Sequence, residues 1–404
     1  MKIGNFANKN DVSIDTIRYY ISKGLLLPQK KGAQYEFGPR CQDDIEKILK
    51  LKEMGYSIKE ISTFFNFLRL GKLAPNLEDS FYIEFYKNKL RENTLEIKNL
   101  SYQIKLIEDA IKNTLNKNPS SNRTLGVHLD NLKLLSCNKC GSNLSLTNAS
   151  IIEDQIINGD LLCKCGISYT IEDGILIGKN IIKDKESELD IIDYIVSVNE
   201  DYLKNIGTSL EWAYKMLNPK ALKEEVILEL GSGSGFFIRY ILEDLRERPT
   251  YILVDHDLTR HKFLKNLLTM SDKKVNLLFI CSDFKEIPLK EKIADIVIDY
   301  TGTTNYSFEN KDFLLKALDK YFKDDVSLIF LSLLFEKFSF DSMIGEEYRH
   351  NFKKTNVRNA ILDLNYKILI EEETPTLNKG SEKYENFFKE DERVYGYRIY
   401  AKKK

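Results

Sequence analysis

The fold is decided by residues 225–236, which read EVILEL and then GSGSGF. The first half has the continuous apolar pattern of a buried strand, and the glycine-rich half leads into a helical pattern through Ile238, Ile241 and Leu245. A strand, a glycine turn and a helix N-terminus in this order make a binding site for a nucleotide-like ligand. Because a lone glycine-rich turn is a weak signal, the prediction depends on the sequence that follows it.

Further apolar segments continue this pattern toward the C-terminus. Helical sequence separates the next predicted strands, which cover residues 251–255, 275–281, 294–299 and 326–334. Strands that alternate with helices are typical of a parallel α/β sheet. Residues 366–371 and 394–401 are predicted to form a final antiparallel pair of strands.

Acidic residues stand at the ends of these strands. Asp255 ends the second strand, Asp283 follows the third, and Asp299 ends the fourth. Phe236 occupies the position of the third glycine in the dinucleotide-binding pattern, where a bulky side chain argues against a bound pyrophosphate. A dinucleotide-dependent dehydrogenase is therefore the lesser alternative. With this order of acids, segment 229–299 resembles the class I S-adenosylmethionine (SAM)-dependent methyltransferases.

The methyltransferase resemblance implies a Rossmann-like seven-stranded sheet and SAM as the cofactor. It places Glu229 and Gly231 at the methionine end of SAM, and Asp255 against the ribose hydroxyls. By the same resemblance, Asp283 and Phe284 hold the adenine amine and ring. The full set predicted to bind the cofactor is Glu229, Gly231, Ser232, Gly233, Gly235, Asp255, His256, Asp283, Phe284 and Asp299.

The sequence names neither the methyl acceptor nor a general base. Methyl transfer depends chiefly on positioning, so proximity can supply most of the rate. Tyr300, Asn305 and Tyr306 follow the fourth strand and are candidate pocket residues, but the Asp/Asn-Pro-Pro-Tyr signature of amino-methylating enzymes is absent. His256 and His261 could equally be surface residues.

The N-terminal segment differs from the rest of the chain in charge. The whole protein of 404 residues has a net charge of -1, yet residues 1–75 carry 13 Lys and Arg against 8 Asp and Glu, so this segment is +5 and the remainder is -6. A basic segment attached to an acidic body indicates that the segment alone meets an anionic partner. The acidic body also argues against RNA as its substrate.

Short helices and a basic hairpin are predicted in this segment. Ser13 is an N-cap, and Ile14, Ile17 and Ile21 follow at helical spacing as one buried stripe. Residues 30–37 read as a hairpin-like wing, and the Ser57-Ile58-Lys59-Glu60 sequence is a capping box that begins another helix. A helix-turn-helix with a basic wing is a geometry for docking onto DNA.

The segments VSIDTIRYYISKGLLLP and DDIEKILKLKEMGYSIKEI, with the wing between them, resemble the MerR family of transcription regulators over about 70 residues. The resemblance implies that Arg18 and Tyr19 contact DNA from the recognition helix, and that Lys30, Lys31 and Tyr35 do so from the wing. The arginine common in that wing is replaced by Tyr35, so the operator sequence does not carry over.

A long helix is predicted from about residue 77 to residue 115. Ile83, Leu90, Ile97, Ile104 and Ile111 repeat every seven residues, and a second position of the heptad recurs three residues after each of them. We expect a coiled coil, and the MerR resemblance implies an antiparallel homodimer. A long helix packed on its own domain is the alternative.

Four of the six cysteines, Cys137, Cys140, Cys163 and Cys165, lie within 29 residues. The first pair has the standard CxxC spacing of a zinc knuckle, and the second is one residue short. CKCGISYTIEDGILIG resembles the zinc-ribbon module that lies beside several methyltransferases, which implies a closed structural zinc site. Buried small residues or a redox pair are the alternatives.

These predictions together describe a multidomain α + α/β protein. The predicted domains are a winged helix-turn-helix DNA-binding domain, a dimerisation helix, a zinc ribbon and a methyltransferase domain, at residues 1–75, 76–118, 119–182 and 183–404. The expected function is transcription regulation at promoter DNA with methylation of a small molecule, in the cytoplasm and without a membrane partner. A sensor of SAM or of a small-molecule effector that does not turn over is the first alternative, and an RNA methyltransferase is the second.

Overall fold

The computed structural model describes residues 1–32, 34–70, 78–115, 123–183, 191–380 and 383–404. The chain divides into two compact units, Met1–Asn118 and Pro119–Lys404, and each is described by itself. Apart from Arg123, the polar linker expected at residues 116–123 lies outside the described residues. None of the described helices is both long and apolar enough to cross a membrane.

The first unit consists of helices and one small hairpin. Its helices are α1 (Ile3–Lys9), α2 (Ile14–Ser22), α3 (Pro39–Glu53), α4 (Ile58–Leu70) and α5 (Glu78–Leu115). The strands β1 (Gln29–Lys31) and β2 (Gln34–Glu36) pair antiparallel to form the predicted wing.

Local hydrogen bonds explain where two of these helices begin. The Thr16 backbone N–H donates to the Ser13 hydroxyl at 3.0 Å, which caps α2. At the start of α4 the capping box is reciprocal. The Ser57 N–H donates to the Glu60 carboxylate at 2.7 Å, and the Glu60 N–H donates to the Ser57 hydroxyl at 3.3 Å.

The buried face of α2 differs in one position from the predicted stripe. Ile17 is fully buried, but Ile14, the first residue of the helix, is 40% exposed. Tyr20 is buried instead and joins the core formed with α3 and α4. The stripe therefore begins one turn later than the spacing of the isoleucines suggests.

The second unit contains twelve strands and seven α-helices among the described residues. The strands are β3 (Val127–His128), β4 (Ser145–Ile152), β5 (Gln155–Leu162), β6 (Ser168–Glu172), β7 (Ile175–Ile177), β8 (Val226–Leu230), β9 (Thr250–Asp255), β10 (Asn276–Cys281), β11 (Ala294–Tyr300), β12 (Phe322–Lys337), β13 (Tyr366–Glu373) and β14 (Arg393–Lys403). The helices are α6 (Ile191–Ser197), α7 (Glu200–Leu217), α8 (Phe236–Ile241), α9 (Leu258–Thr269), α10 (Gly302–Ser307), α11 (Leu314–Leu318) and α12 (Lys354–Asp363).

All twelve strands belong to one sheet. Its order is β13-β14-β12-β11-β8-β9-β10-β7-β6-β5-β3, and β4 pairs with β5 off this path. The strands β8 to β12 are parallel, whereas β14 is antiparallel to both neighbours, as predicted for the C-terminal pair. The central strands are continuous apolar runs because helices and their connections cover both faces of the sheet.

The seven strands from β13 to β10 are the Rossmann-like sheet predicted from the sequence. The sheet does not end there, because β7 pairs parallel with β10 and joins the small strands next to the cysteine turns to the same sheet. The sequence predicted that module as a separate domain, and the structure joins it to the edge of the central sheet.

Candidate functional sites

The exposed face of α2 carries the residues predicted to contact DNA. The Arg18 side chain is 67% exposed, and its guanidinium lies 3.1 Å from the Asp15 carboxylate. Tyr19 is 45% exposed on the same helix, and Tyr35 on the wing is 39% exposed. Lys30 is exposed without a charged partner among the described residues, and Lys31 lies 2.7 Å from Glu36. Exposed ion pairs of this kind stabilise a protein by at most about 1 kcal/mol, so these cations are available to an anionic ligand.

The glycine turn after β8 has a conformation that other residues adopt only with strain. Gly231, Gly233 and Gly235 all have positive φ, at 68°, 50° and 75°. A Cβ on Gly231 would lie 2.8 Å from the Cα of Gly302, and one on Gly235 would lie 2.2 Å from Leu264. At Gly233 the nearest atom is 3.9 Å away, so this glycine leaves open space above the turn.

Asp255 and the glycine turn are tied together. One Asp255 carboxylate oxygen accepts the Gly233 N–H at 2.8 Å, and the other accepts the Asp257 N–H at 2.9 Å. The Asp255 residue is 6% exposed, and His256 Nδ1 lies 3.6 Å from its carboxylate. A carboxylate oxygen can accept a second hydrogen bond, so Asp255 both shapes the turn and retains acceptor capacity.

Asp283 and Phe284 lie at the end of the adjacent strand. The Asp283 side chain accepts the Lys285 N–H at 2.8 Å and so caps a short turn. The Phe284 ring is mostly buried and meets the His256 ring edge-on at a centroid distance of 6.1 Å. It also lies 3.9 Å from the position that a Cβ would take on Gly231. The structure thus brings the ends of β8, β9 and β10 together, as their order requires.

Glu229 and Ser232 are buried polar residues beside the turn. Burial raises the pKa of Glu229 to about 8, even though the Tyr251 hydroxyl donates to its carboxylate at 2.6 Å. The Ser232 residue is 5% exposed, and its hydroxyl has no hydrogen-bond partner within the described part of the chain. An orphaned buried hydroxyl beside an open glycine turn is suited to a polar group of a ligand.

Asp299 has a different environment from the other predicted cofactor residues. It is fully buried, and its carboxylate accepts the Thr303 N–H at 2.9 Å and also the Thr303 hydroxyl. Burial raises the pKa of Asp299 to about 6. The carboxylate holds the start of α10 and does not line the cavity described next.

A cavity of about 380 Å³ begins at the glycine turn and extends away from it. Glu229, Gly231, Ser232 and Gly233 line one end. The opposite wall is largely aromatic, and its side chains come from α6, α7, the α10 region and the segment before β14: Tyr194, Tyr202, Phe308, Tyr384 and Phe387. Of the candidate pocket residues, Tyr300 and Asn305 line the cavity, but Tyr306 does not.

Glu385 brings a second carboxylate to the cavity wall. The Tyr194 hydroxyl donates to one of its oxygens at 2.7 Å, and the Tyr202 hydroxyl donates to the other at 2.9 Å. Burial, with the charge of Glu385, raises the pKa of both tyrosines far above the usual range, so the hydroxyls remain donors. These contacts fix the segment before β14 over the cavity.

The four clustered cysteines approach one another closely. Their sulfur atoms all lie within 4.8 Å of one another, with Cys137 and Cys165 at 3.5 Å and Cys140 and Cys163 at 3.3 Å. Gly141 and Gly166 follow the two cysteine turns with φ of 68° and 87°. Hydrogen bonds from Ser142 lower the pKa of Cys140 to about 6. Four thiol groups at these distances match the donor set of a tetrahedral zinc ion.

Comparison with protein families identifies the N-terminal part of the first unit. Residues 1–68 match the MerR HTH family regulatory proteins. Residues 1–68 are a MerR-type helix-turn-helix domain. The match ends within α4, so it covers the MerR-type domain and leaves α5 and the second unit outside it. No curated protein matches the sequence.

Solved structures similar to the chain include several SAM-dependent methyltransferases. One from Aquifex aeolicus is 15% identical, covers 53% of this chain and 99% of its own, and has a TM-score of 0.33. One from Methanosarcina mazei is 12% identical over 47% and 97% of the two chains, with a TM-score of 0.35. Geranyl diphosphate C-methyltransferase from Streptomyces coelicolor A3(2) is 10% identical over 57% and 90%, with a TM-score of 0.37. The strand order given above, and not these similarities, establishes the fold.

Several residues that line the cavity were not predicted from the sequence. Tyr194, Tyr202 and Glu385 come from segments almost two hundred residues apart, and no local pattern links them. Arg260 on α9 also lines the cavity. Thr301 lines it with a φ of 65°, which is unusual for a β-branched residue and has no sequence signature. His261, predicted as a possible surface residue, is fully buried, and burial lowers its pKa to about 4.

Proposed function

We propose that the protein is a DNA-binding transcription regulator of the MerR type whose second unit binds SAM and methylates a small molecule. The observation that carries the enzymatic part is the cavity that joins the glycine turn to an aromatic chamber, which is the end lined by Tyr194, Tyr202, Phe308, Tyr384 and Phe387. A cofactor and an acceptor have to meet in one water-excluding space, and a cavity with these two ends provides it.

The residues at the glycine turn fit SAM. Gly233 leaves room for a ligand against the backbone, and the Ser232 hydroxyl, which has no partner among the described residues, offers a hydrogen bond. Glu229 presents a carboxyl group to the cavity, where an ionised form would attract the positively charged methionine end. Asp255 and His256 would face the ribose, and Asp283 with Phe284 the adenine. SAM, when bound, supplies an activated methyl group.

The aromatic end of the cavity would hold the acceptor. Tyr202 and Tyr194 fix Glu385 by hydrogen bonds, so this carboxylate is held where it can orient a donor group of the acceptor. Phe308 and Phe387 would exclude water and pack on an apolar part of the molecule. We assign no general base, since none of these groups is placed against a defined acceptor atom.

The MerR-type domain would contact promoter DNA through α2 and the wing. Arg18 and Tyr19 are exposed on α2, and Lys30, Lys31 and Tyr35 are exposed on the hairpin. We propose that α5 forms an antiparallel coiled coil with a second copy, because its heptad positions are apolar yet exposed, with Ile97 at 65% and Ile104 at 55%. A dimer would suit an operator with two-fold symmetry.

We further propose that Cys137, Cys140, Cys163 and Cys165 hold one structural zinc ion. With four thiol ligands a tetrahedral site has no open position, so the metal would brace the two turns and take no part in the chemistry.

Calorimetric titration with SAM tests the cofactor assignment. The wild type is expected to bind at micromolar concentration, and Asp255→Ala is expected to lose most of this affinity. Ser232→Ala removes no hydrogen bond from the empty protein and is expected to weaken binding less. Asp272→Ala removes an exposed carboxylate and serves as the matched control. Absence of binding to a folded, metal-loaded wild type would overturn the proposal.

A sensor without turnover is the second candidate, and one observation favours it. Both oxygens of Asp255 already accept backbone N–H groups, and neither Asp255 nor Asp283 lines the cavity. The product separates the two functions. Accumulation of S-adenosylhomocysteine with a fractionated cell extract indicates an enzyme, whereas saturable SAM binding with no product from any fraction indicates a sensor.

A further inference from the structure

A second, smaller cavity adjoins the aromatic chamber. Its volume is about 50 Å³, and it lies between α7 and the strands β12 and β14. Tyr202, Ile206, Tyr300, Thr301 and Leu333 line both cavities. A water molecule occupies about 10–15 Å³ on this measure, so the smaller cavity has room for a group of roughly three or four heavy atoms, the size of a carboxylate.

Arg398 lines this cavity and has few hydrogen-bond partners among the described residues. The residue is 8% exposed, its Nη2 donates to the Thr208 hydroxyl at 2.7 Å, and its Nε has no partner within the described ranges. A guanidinium has five N–H donors and keeps its charge in a protein, and the Nε–H of Arg398 is a buried donor that no acceptor among the described residues satisfies. A buried guanidinium is stable only if a negative charge or hydrogen-bond acceptors offset the cost of removing it from water.

Arg69 is a mostly buried arginine of the same chain whose charge and N–H donors do have partners. It donates to the backbone oxygens of Gly24 and Leu25 and lies 3.3 Å from the Asp44 carboxylate. For Arg398, no carboxylate of the described residues lies within 4.0 Å. Glu372 is its cross-strand neighbour on β13, but the Glu372 side chain is exposed and makes no ion pair with it.

The register of the sheet places Arg398 level with the start of the glycine turn, three strands away. Arg398 pairs with Leu331 on β12, and Leu331 pairs with Tyr300 on β11. The residue before Tyr300 pairs with Leu230, which immediately precedes the glycine turn. Burial lowers the pKa of Arg398, while the nearby Tyr300 and Glu372 oppose that shift. Arg398 therefore lies on β14, three strands from the strand that leads into the glycine turn, and it lines the smaller cavity.

We propose that Arg398 and the smaller cavity form the binding site for the carboxylate of a small organic acid, whose body extends into the aromatic chamber. The inference rests on the proposed function in so far as this acid is the methyl acceptor, and it names the acceptor's chemical class. Arginine pairs with a carboxylate through two parallel hydrogen bonds, which would satisfy donors that the protein leaves open.

Binding of benzoate, with benzamide as its neutral isostere, tests the proposal on the full-length protein. Wild-type protein is expected to bind benzoate at millimolar concentration and at least tenfold more tightly than benzamide. Arg398→Met is expected to remove this preference, while Arg393→Met, which changes an exposed arginine of the same strand, retains it. The Arg398→Met protein is expected to be at least as heat-stable as the wild type, because a buried charge with an unsatisfied Nε–H has been removed.

Several results would overturn the proposal. They are equal binding of benzoate and benzamide by the wild type, unchanged benzoate affinity in Arg398→Met, and tighter binding of inorganic phosphate than of benzoate. If Arg398→Met does not fold, Ser209→Leu decides, since Ser209 lines only the smaller cavity and a leucine would fill it. Retained benzoate binding in that variant contradicts the site.

SAM titration of the same samples keeps the two proposals separate. SAM binding without benzoate binding leaves the cofactor assignment intact and removes the carboxylate site. Benzoate binding without SAM binding removes the methyltransferase and leaves an acid-binding sensor.

Discussion

Glu229 is a carboxyl group whose protonation should respond to a ligand. Its pKa rises from an ordinary value of 4.5 to about 8 because it is fully buried. Between these pH values the folded protein holds a proton that the unfolded chain has released, so the contribution of Glu229 to stability falls as the pH rises through this window. The group is destabilising above pH 8, and the penalty disappears as the pH falls toward 4.5.

Glu229→Gln should therefore stabilise the ligand-free protein at pH 8, with a gain that vanishes near pH 5. The amide oxygen can still accept a hydrogen bond from the Tyr251 hydroxyl.

In SAM titrations the wild type should bind SAM more tightly as the pH rises from 6 to 8, by up to about tenfold per pH unit, and should release a proton on binding. The variant should bind weakly and without this pH dependence. Glu243→Gln, at an exposed site, is the control. Equal SAM affinity of wild type and Glu229→Gln at pH 8 would show that the carboxylate does not face the cation.

Arg18 is the residue on which the DNA proposal depends most. Its ion pair with Asp15 is exposed, so replacing Arg18 by alanine should change stability little. On a duplex selected from a random library with the wild-type protein, Arg18→Ala should bind at least tenfold more weakly. The slope of affinity against salt should become shallower by about one for each phosphate that the variant no longer neutralises. Arg91→Ala, which alters an exposed arginine of α5, should leave both quantities unchanged. Unaltered affinity and slope in Arg18→Ala would contradict the assignment.

The residues that could be predicted are those whose role follows from neighbours in sequence. The turn at Gly231 and Gly233, the cap at Ser13 and the paired cysteines each depend on a few consecutive positions. Glu385 and Arg398 could not be found in this way, because their surroundings are assembled by the pairing of distant strands and by α7. Asp299 stands at a strand end like Asp255, yet it caps α10, and sequence position alone does not separate the two roles.

At the scale of elements, α5 presents two different surfaces along its length. Near its start, Phe85 stacks on Tyr56 at a centroid distance of 4.3 Å, and Asn93 Nδ2 donates to the Met54 backbone oxygen at 3.4 Å. This face of the first turns packs on its own domain, which was the alternative interpretation of the helix, whereas the heptad residues Ile83 and Leu90 of the same turns are 53% and 67% exposed. Farther along, Ile97 and Ile104 are exposed and have no partner within the described chain.

We therefore predict that the exposed heptad positions of α5 carry the dimer contact. Replacing Ile97 and Ile104 together by glutamate should convert a dimer to a monomer in sedimentation velocity, since charges at seam positions would have to be buried. Replacing Lys98 and Lys105 by glutamate is the control. These residues follow the two isoleucines by one position each, so the variant adds negative charge to the helix without changing the seam. A wild type that sediments as a monomer, or a double isoleucine variant that remains dimeric, would contradict the proposed coiled coil.

The cysteine module is an element whose influence should extend beyond itself. Strand β7 pairs with β10, and the Asp283 N–H donates to the Lys179 backbone oxygen at 3.0 Å, so the chain leaving the module runs beside the predicted adenine site. Loss of a structural metal is loss of folding free energy. Cys140→Ser should reduce zinc far below one ion per chain, lower the melting temperature and weaken SAM binding. Cys41→Ala, outside the cluster, should keep the metal. A full zinc content in Cys140→Ser would refute the ligand set.

At the scale of the whole molecule, the predicted activities belong to separate compact units. The larger cavity is lined only by residues between Tyr194 and Phe387, and the four cysteines also lie within the second unit. The sequence divided this unit into two domains, but the shared sheet makes one folded body of them. Without DNA, the isolated second unit should bind SAM with the affinity of the full chain, because every proposed contact is retained.

Titrations with DNA would then test whether a ligand bound to one unit changes the affinity of the other unit for its own ligand. If SAM changes the affinity of the full chain for its selected duplex by some factor, saturating duplex must change the affinity for SAM by the same factor. We expect this reciprocity in the full chain, and we expect the isolated second unit to be indifferent to the duplex. Calorimetric titration with SAM, with and without duplex, measures the effect of DNA on the affinity for SAM. Duplex binding with and without SAM measures the effect of SAM on the affinity for DNA. An identical affinity for SAM with and without DNA would mean that SAM is not the signal, and the titration would be repeated with benzoate, the probe of the Arg398 site.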